Sequence, residues 1–266
     1  MNVKDSKILY NCYFNRNRSG EQFIPEHVFS LQVAGTLITQ SNNKTHVYKE
    51  GDFRLSRRNH LSKFEKIPPN NGEFKSLSIY LDQQSLKEIS TELNWVKTPQ
   101  IIIDAPVINL PSHPLYKSYM NSLFVYLQLP EKEQKEIMNF KIREAVLLLL
   151  KINPELQHIL FDFTEPHKID LEAFMQKNYR FNIDLKRFAY LSGRSLSTFK
   201  RDFEKIFKTT PSKWLLKRRL QEAYFLLKEK NKKASEIYLD LGFQDLSHFS
   251  RVFKKEFGNS PTAIKN

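Results

Sequence analysis

"STFKRDFEKIF" occupies residues 197–207, and "SHFSRVFKKEF" occupies residues 247–257. Ser, Phe, Arg, Phe, Lys and Phe recur at the same relative places, and a proline follows each copy, Pro211 and Pro261. On a helix Phe199, Phe203 and Phe207 stand at i, i+4 and i+8 and form one stripe. Ser197, Arg201 and Lys205 form a second stripe, about 160–200° around the axis from the first. The second copy repeats the division, with Phe249, Phe253 and Phe257 against Ser247, Arg251 and Lys255. Each copy is therefore a helix with an aromatic face to bury and a short-polar and cationic face to present.

That presented face suits a DNA groove. Arg donates two parallel bonds to guanine, Ser and Thr bond base edges or phosphates, and Lys neutralises phosphate. A plain amphipathic helix with a solvated basic side gives the same pattern once. Two copies, each with the same kind of element in front, point to DNA. Before the first lies "DLKRFAYLSGRSL", where Leu185, Phe188, Ala189 and Leu191 make an apolar face. Gly193 then allows a tight turn and Ser195 is the expected N-cap. Before the second lies "ASEIYLDLGFQDL", where Ile237, Leu239 and Leu241 precede Gly242, and Asp245 or Gln244 opens the next helix. Helix, glycine-bearing turn, helix is the helix-turn-helix pattern, whose second helix enters the major groove. Between the units runs "PSKWLLKRRLQEAYFLLKEK", with Pro211 in the first turn and Leu216, Leu220, Ala223 and Leu227 expected as a continuous buried stripe.

From Ile169 to Asn266 the sequence resembles the AraC/XylS family of bacterial transcription regulators. The linker helix carries the family's Arg-Leu-x-x-Ala-x-x-Leu-Leu as "RLQEAYFLL", Arg219 to Leu227. The last unit carries its longer ordered pattern as "SEIYLDLGFQDLSHFSRVFKKEFGNSP". The resemblance implies base contacts from Ser197, Lys200 and Arg201 on helix 195–207, and from Ser247, His248 and Arg251 on helix 245–257. It makes Thr198 and Lys254 their neighbours on phosphate. It also implies double-stranded DNA and RNA polymerase as partners and a role as an activator. The chain departs from the family in two places: Lys208 stands where the first unit usually has glycine, and "TAIK" replaces the usual aromatic-Arg ending.

Residues 8–110 read as short strands separated by Gly, Asn and Pro, with Gly35, Gly51 and Gly72 at turns and a short helix at 85–93. A small antiparallel barrel or sandwich is the expected form. From His113 the period becomes helical, with a long helix over 131–152 that must bury more than one side near "AVLLLL", 145–150. The expected organisation is α+β. A sensing and dimerising domain spans 1–163, β-rich over 8–110 and helical over 113–163. A linker follows at 164–168, and an all-α domain with two helix-turn-helix units at 169–266. The strand-turn pattern of the front half resembles the cupin-like sensing domains of such regulators. "KIREAVLLLLKINPEL" resembles the dimerisation region in the branch that includes type III secretion activators. A homodimer through the 131–152 helix, with Leu147 and Leu149 in its seam, is the expectation.

Composition agrees with this division. Residues 168–266 hold 22 Lys and Arg against 11 Asp and Glu, a net of +11, which leaves +2 of the chain's +13 for the first 167 residues. Charge gathered in one third of the chain points to an acidic partner, nucleic acid first. Cys12 is the single cysteine, so no intramolecular disulfide forms, and a reducing cytoplasm is expected. The start of the chain has no signal-peptide core, and no apolar run spans a bilayer, so no membrane partner is expected.

His27, His46 and His60 lie on or near expected strands, but no His-x-His pair exists, so no metal is expected. Cys12, beside Tyr10 and Tyr13, reads as a packed or idle thiol. No phosphate loop or dinucleotide fingerprint occurs, so the chain is not expected to be an enzyme and no cofactor is expected. The effector is left open between a small molecule and a regulatory protein, because Phe, Tyr and Leu in a small barrel either line a pocket or fill a core. Two other readings remain. One is a basic protein that binds nucleic acid without reading sequence, and the other is a cupin-type enzyme fused to a DNA-binding tail.

Overall fold

The computed structural model describes residues 8–17, 22–41, 44–96 and 105–264. Two compact units divide the chain: one holds the described residues before Arg18 and Ile24–Thr164, and the other holds Gln22 and Phe23 together with the chain from Glu165 onward. Before Thr164 the elements are β1 (Ile8–Tyr13), β2 (Phe23–Ile24), β3 (His27–Ala34), β4 (Thr36–Ser41), β5 (Lys44–Tyr48), β6 (Phe53–Ser56), β7 (His60–Leu61), β8 (Lys63–Ile67) and β9 (Phe74–Leu81). They are followed by α1 (Gln83–Glu92), β10 (Val107–Leu110), α2 (Pro114–Tyr126), α3 (Glu131–Ile152) and α4 (Gln157–Leu160). The start of the expected strand "QIIIDAPVINLP", residues 100–104, lies outside the described residues.

Eight of the strands form a five-stranded sheet ordered β1-β9-β3-β6-β10 and a three-stranded sheet ordered β5-β4-β8. Among the described residues these are separate antiparallel sheets rather than one closed hydrogen-bonded ring. The turn from β3 to β4 needs glycine: Gly35 has φ +77°, and a Cβ there would stand 2.5 Å from the Ile67 carbonyl oxygen. Leu37 and Tyr48 from the smaller sheet meet Phe74 and Val107 from the larger one in a small shared core.

Strand alternation gives the large sheet two unlike faces. On one, Phe29 and Leu31 pair across to Leu55, Phe53, Ile79 and Leu77. These join Tyr116, Tyr119, Met120 and Leu123 of α2 and Ile142, Ala145, Val146 and Leu149 of α3 in one core. On the other face Ser30, Gln32, Arg54, Ser76 and Ser78 are buried as well. Ser30 Oγ meets Ser78 Oγ at 2.9 Å, and Arg54 Nη1 donates to Gln32 Oε1 at 3.4 Å. Burial holds the Arg54 guanidinium down at about 10, with Tyr48 and Asp52 opposing the shift. Phe29 and Phe53, aromatics of the β-rich segment, are fully buried and fill a core against helices.

Leu149 corrects the expected dimer seam. It is fully buried in the unit's own core, whereas Leu147 is 40% exposed and Phe140, two turns earlier, is 75% exposed. Cys12 is exposed rather than packed.

The second unit is helical: α5 (Leu171–Asn178), α6 (Leu185–Leu191), α7 (Leu196–Phe207), α8 (Pro211–Lys228), α9 (Ala234–Ile237) and α10 (Leu246–Phe257). It holds two small cores. Leu171, Met175, Phe188, Phe199, Phe203 and Leu215 make the first; Leu220, Ala223, Leu227, Leu241, Phe249 and Phe253 belong to the second. Phe199, Phe203, Phe249 and Phe253 are all at 0% exposure, so truncating any one to Ala removes about 3–5 kcal/mol. The stripe expected on α8 needs correction. Leu216 is exposed, and Leu215 is the residue that enters the first core. At 100° per residue Leu215 lies about 80–140° around the helix from Ala223, Leu227 and Leu220, so α8 offers two patches to two cores.

α7 and α10 end alike. Lys208 has φ 54° and Gly258 has φ 80°, both at the left-handed position that closes the helix. A Lys backbone there costs about 1–2 kcal/mol relative to its relaxed state. Lys208→Gly is expected to raise stability by about 0.5–1 kcal/mol net of glycine's unfolded-state entropy. Urea denaturation measures it, and an unchanged or lower midpoint contradicts the assignment of strain.

Candidate nucleic-acid interface

Each presented helix is aimed by the turn in front of it. Ahead of α7, Gly193 has φ +67°, and a Cβ there would collide with the His167 carbonyl carbon at 2.1 Å. Arg194 fixes the same turn. Its Nη1 donates to the carbonyls of Ile169 at 3.0 Å and Ser192 at 2.7 Å, and its Nε to Asp202 Oδ2 at 3.1 Å. That bond, with Lys168 adding to it, holds the Asp202 carboxyl below its usual value. Ser195 caps the helix by accepting from Thr198 N at 3.2 Å.

Ahead of α10, Gly242 has φ +83°, and Asp245 caps by accepting from His248 N. Asp245 rather than Gln244 is thus the cap. α9 is only four residues long, and the chain from Tyr238 to Gly242 continues as turns. Lys233 N donates to Glu236 Oε2 at 3.0 Å at its start, and Ile237 and Leu241 still reach the second core.

The candidate residues fall as follows. On α7, Ser197, Lys200, Arg201 and Lys205 are exposed, and Thr198 is half-buried. Ser197 Oγ lies 3.1 Å from Ser195 Oγ, which also donates to Thr198 Oγ1 at 3.0 Å. Arg201 is 76% exposed and reaches back to Asp202 at 3.7 Å. On α10, Ser247, His248, Arg251, Lys254 and Lys255 are all exposed. Both sets lie away from the buried aromatics of their own helix. Two of the three histidines weighed as metal ligands, His27 and His60, make hydrogen-bond contacts through Nδ1. His27 Nδ1 accepts from Arg58 N at 3.4 Å, and His60 Nδ1 lies 2.7 Å from the Arg58 carbonyl. Burial first, then Arg58 and Arg57, pushes His27 down to about 3. Among the described residues no three His, Cys, Asp or Glu side chains gather as a metal site, and no helix is long and apolar enough to cross a membrane.

One structural residue was not visible as such in the sequence. Arg219, mid-way along α8, donates from Nε to the Tyr179 carbonyl at 2.8 Å and from Nη2 to the Phe181 carbonyl at 2.8 Å. Its Nη1 donates to the Gly242 carbonyl at 3.0 Å. The first two carbonyls follow α5 beside the first core; the third belongs to the turn before α10. Burial lowers the guanidinium to about 10.

Comparisons with known proteins place the chain among DNA-binding transcription regulators. Residues 189–266 match the family described as a helix-turn-helix domain, and residues 27–159 match the ExsA N-terminal regulatory domain. The chain is 32% identical over 245 residues to the virulence regulon transcriptional activator VirF of Yersinia enterocolitica, covering 88% of this chain and 87% of that one. It is 29% identical over 122 residues to the HTH-type transcriptional regulator ExsA of Pseudomonas aeruginosa, covering 45% of this chain and 44% of that one. Among solved structures, an apo form of ToxT from Vibrio cholerae aligns over 97% of this chain and 96% of its own, at TM-score 0.46 and 12% identity.

Arg219→Lys is expected to destabilise the second unit by about 2–4 kcal/mol, because an ammonium on a flexible stem cannot serve three carbonyls held by one planar fork. Chemical denaturation of the variant checks this. A loss under about 1 kcal/mol would show that the three carbonyls find other donors.

Proposed function

The chain belongs to the AraC/XylS family of bacterial DNA-binding transcription regulators, and we propose that it activates transcription by reading two adjacent major grooves with α7 and α10. The observation that carries this reading is the twinned exposed stripe. Each runs along a helix whose opposite face is sealed in its own core. α8, with 18 residues, is about 27 Å long and supplies side chains to both cores. Successive major grooves on one face of DNA recur at about 34 Å. A frame of that size suits two readers from one chain.

In this reading Arg201 and Arg251 donate to base edges. Ser197, Lys200, Ser247 and His248 stand beside them, and Thr198, Lys205, Lys254 and Lys255 serve phosphates. The front unit is the regulatory half, as its match to the ExsA N-terminal regulatory domain suggests. The protein works in the cytoplasm, where its DNA and RNA polymerase are found. Pairing of two copies involves the exposed side of α3, where Phe140 and Leu147 stand one above the other two turns apart.

Selection from random duplexes with the full-length protein tests the first claim. A bipartite motif with half-sites about 10 bp apart is the expected result; weak, salt-steep binding with no motif would leave only non-specific attachment to phosphate. Arg201→Ala or Arg251→Ala is expected to cost about 1–3 kcal/mol on the preferred site and to relax one base position. An equal loss on every duplex reduces these side chains to phosphate contacts. For the pairing, Phe140→Glu with Leu147→Glu should yield folded monomers by sedimentation, whereas Leu149→Glu should unfold the unit. A doubly substituted protein that stays dimeric places the seam elsewhere.

A further inference from the structure

α7 and α10 share Ser, Arg and Lys along the presented stripe, as Ser197 and Ser247, Arg201 and Arg251, and Lys205 and Lys255, and differ there at Thr198 and His248, at Lys200 and Ser250, and once by a reversal of charge. Seven residues after Ser247, α10 carries Lys254; seven residues after Ser197, α7 carries Glu204. At 100° per residue Glu204 lies about 20° around the axis from Ser197, between Lys200 and Arg201. The carboxylate thus sits in the middle of the stripe meant to meet a polyanion.

The ordinary reasons for a surface glutamate do not account for it. Glu204 is exposed, and among the described residues it makes no ion pair and no side-chain hydrogen bond. The other carboxylate of α7, Asp202, is engaged by Arg194, Lys168 and Arg201. Helix stability does not explain Glu204 either. It sits in the last turn, where the helix dipole disfavours negative charge. It follows Lys200 by four residues, the weaker order for such a pair. Its neighbour four residues on, Lys208, has already left the helix in the left-handed conformation.

A carboxylate facing DNA is repelled by phosphate unless a base supplies a donor. In the major groove the donors are the N4 amino group of cytosine and the N6 amino group of adenine. Adenine sets the N7 acceptor beside its amino group, which a carboxylate avoids; cytosine sets no acceptor beside N4 on its own edge. We propose that Glu204 is a specificity-determining residue that selects cytosine in the half-site under α7. This inference rests on the reading of α7 as a groove-facing helix. Because α10 has Lys254 at the matching place, the two half-sites differ in their need for that base, and the difference contributes to which way the protein points along the duplex.

The test is selection from random duplexes with full-length wild type, Glu204→Gln and Glu204→Ala, alongside Arg201→Ala and Arg251→Ala. Wild type is expected to enrich cytosine at one position of one half-site. Glu204→Ala should lower that preference about tenfold while sparing the other half-site, and Glu204→Gln should shift it toward adenine, which an amide bonds through N6 and N7. If the Glu204 variants keep the same motif and bind every duplex more tightly by one common factor, the carboxylate only weakens phosphate attraction and the inference is overturned. If the arginine variants relax the motif and the Glu204 variants do not, this inference alone falls. If none of the four changes it, the reading of both helices falls as well.

Discussion

Three backbone carbonyls converge on one half-buried guanidinium, and the DNA-binding unit depends on that convergence. Each of its two cores is small, and a small core alone gives modest stability. Arg219 adds charge-assisted bonds to Tyr179, Phe181 and Gly242, taking carbonyls from beside both cores. The cost of burying a cation is offset because its donors meet carbonyls in good geometry. The constraint also explains a glycine. A Cβ on Gly242 would stand 2.9 Å from the Arg219 Cζ and 2.8 Å from the Arg180 carbonyl. The turn that aims α10 and the cation that fixes it are thus parts of one arrangement.

α8 carries the same logic in its side chains. A helix that served one core would show one apolar stripe, which is how "WLLKRRLQEAYFLL" reads at first. Serving two cores on different sides, it buries Leu215 toward one and Leu220, Ala223 and Leu227 toward the other, and leaves Leu216 exposed. Periodicity cannot report that rotation, because neighbouring leucines satisfy either phase. The same ambiguity applies to "AVLLLL" in α3, where Ala145, Val146 and Leu149 are core and Leu147 is not. The twinned aromatic helices were legible for the opposite reason. Phenylalanine at every fourth position, with mostly polar residues between, favours one orientation, and Phe199, Phe203, Phe249 and Phe253 are all sealed.

The front unit was less legible in its detail. Its strands could be placed from β-branched and aromatic runs, but which face of the large sheet met the helices could not. Alternation of polar with apolar ordinarily marks a solvated face. Here Ser30, Gln32, Arg54, Ser76 and Ser78 are buried, and Arg54 lies over the Tyr48 ring of β5 at 5.5 Å. Arg219 posed a similar problem. Its place in a family pattern was plain, yet its partners lie 40, 38 and 23 residues away along the chain. Long-range bonds to backbone leave no mark in the side-chain pattern of the residues that accept them.

A rigid frame limits how such a protein can be controlled. In the proposed reading both helices are tied to α8, so engagement of the second groove would follow the first as an intramolecular step, with the ordering entropy already spent on folding. Altering the spacing of α7 and α10 would mean breaking the Arg219 bonds and parting two cores, at several kcal/mol. A signal received by the front unit acts only through its differential affinity for two states. States that differ in the availability or pairing of an intact DNA-binding unit require far less of that signal than states that differ inside it. Control at the level of whole units is therefore the physically economical route for a chain with this internal architecture.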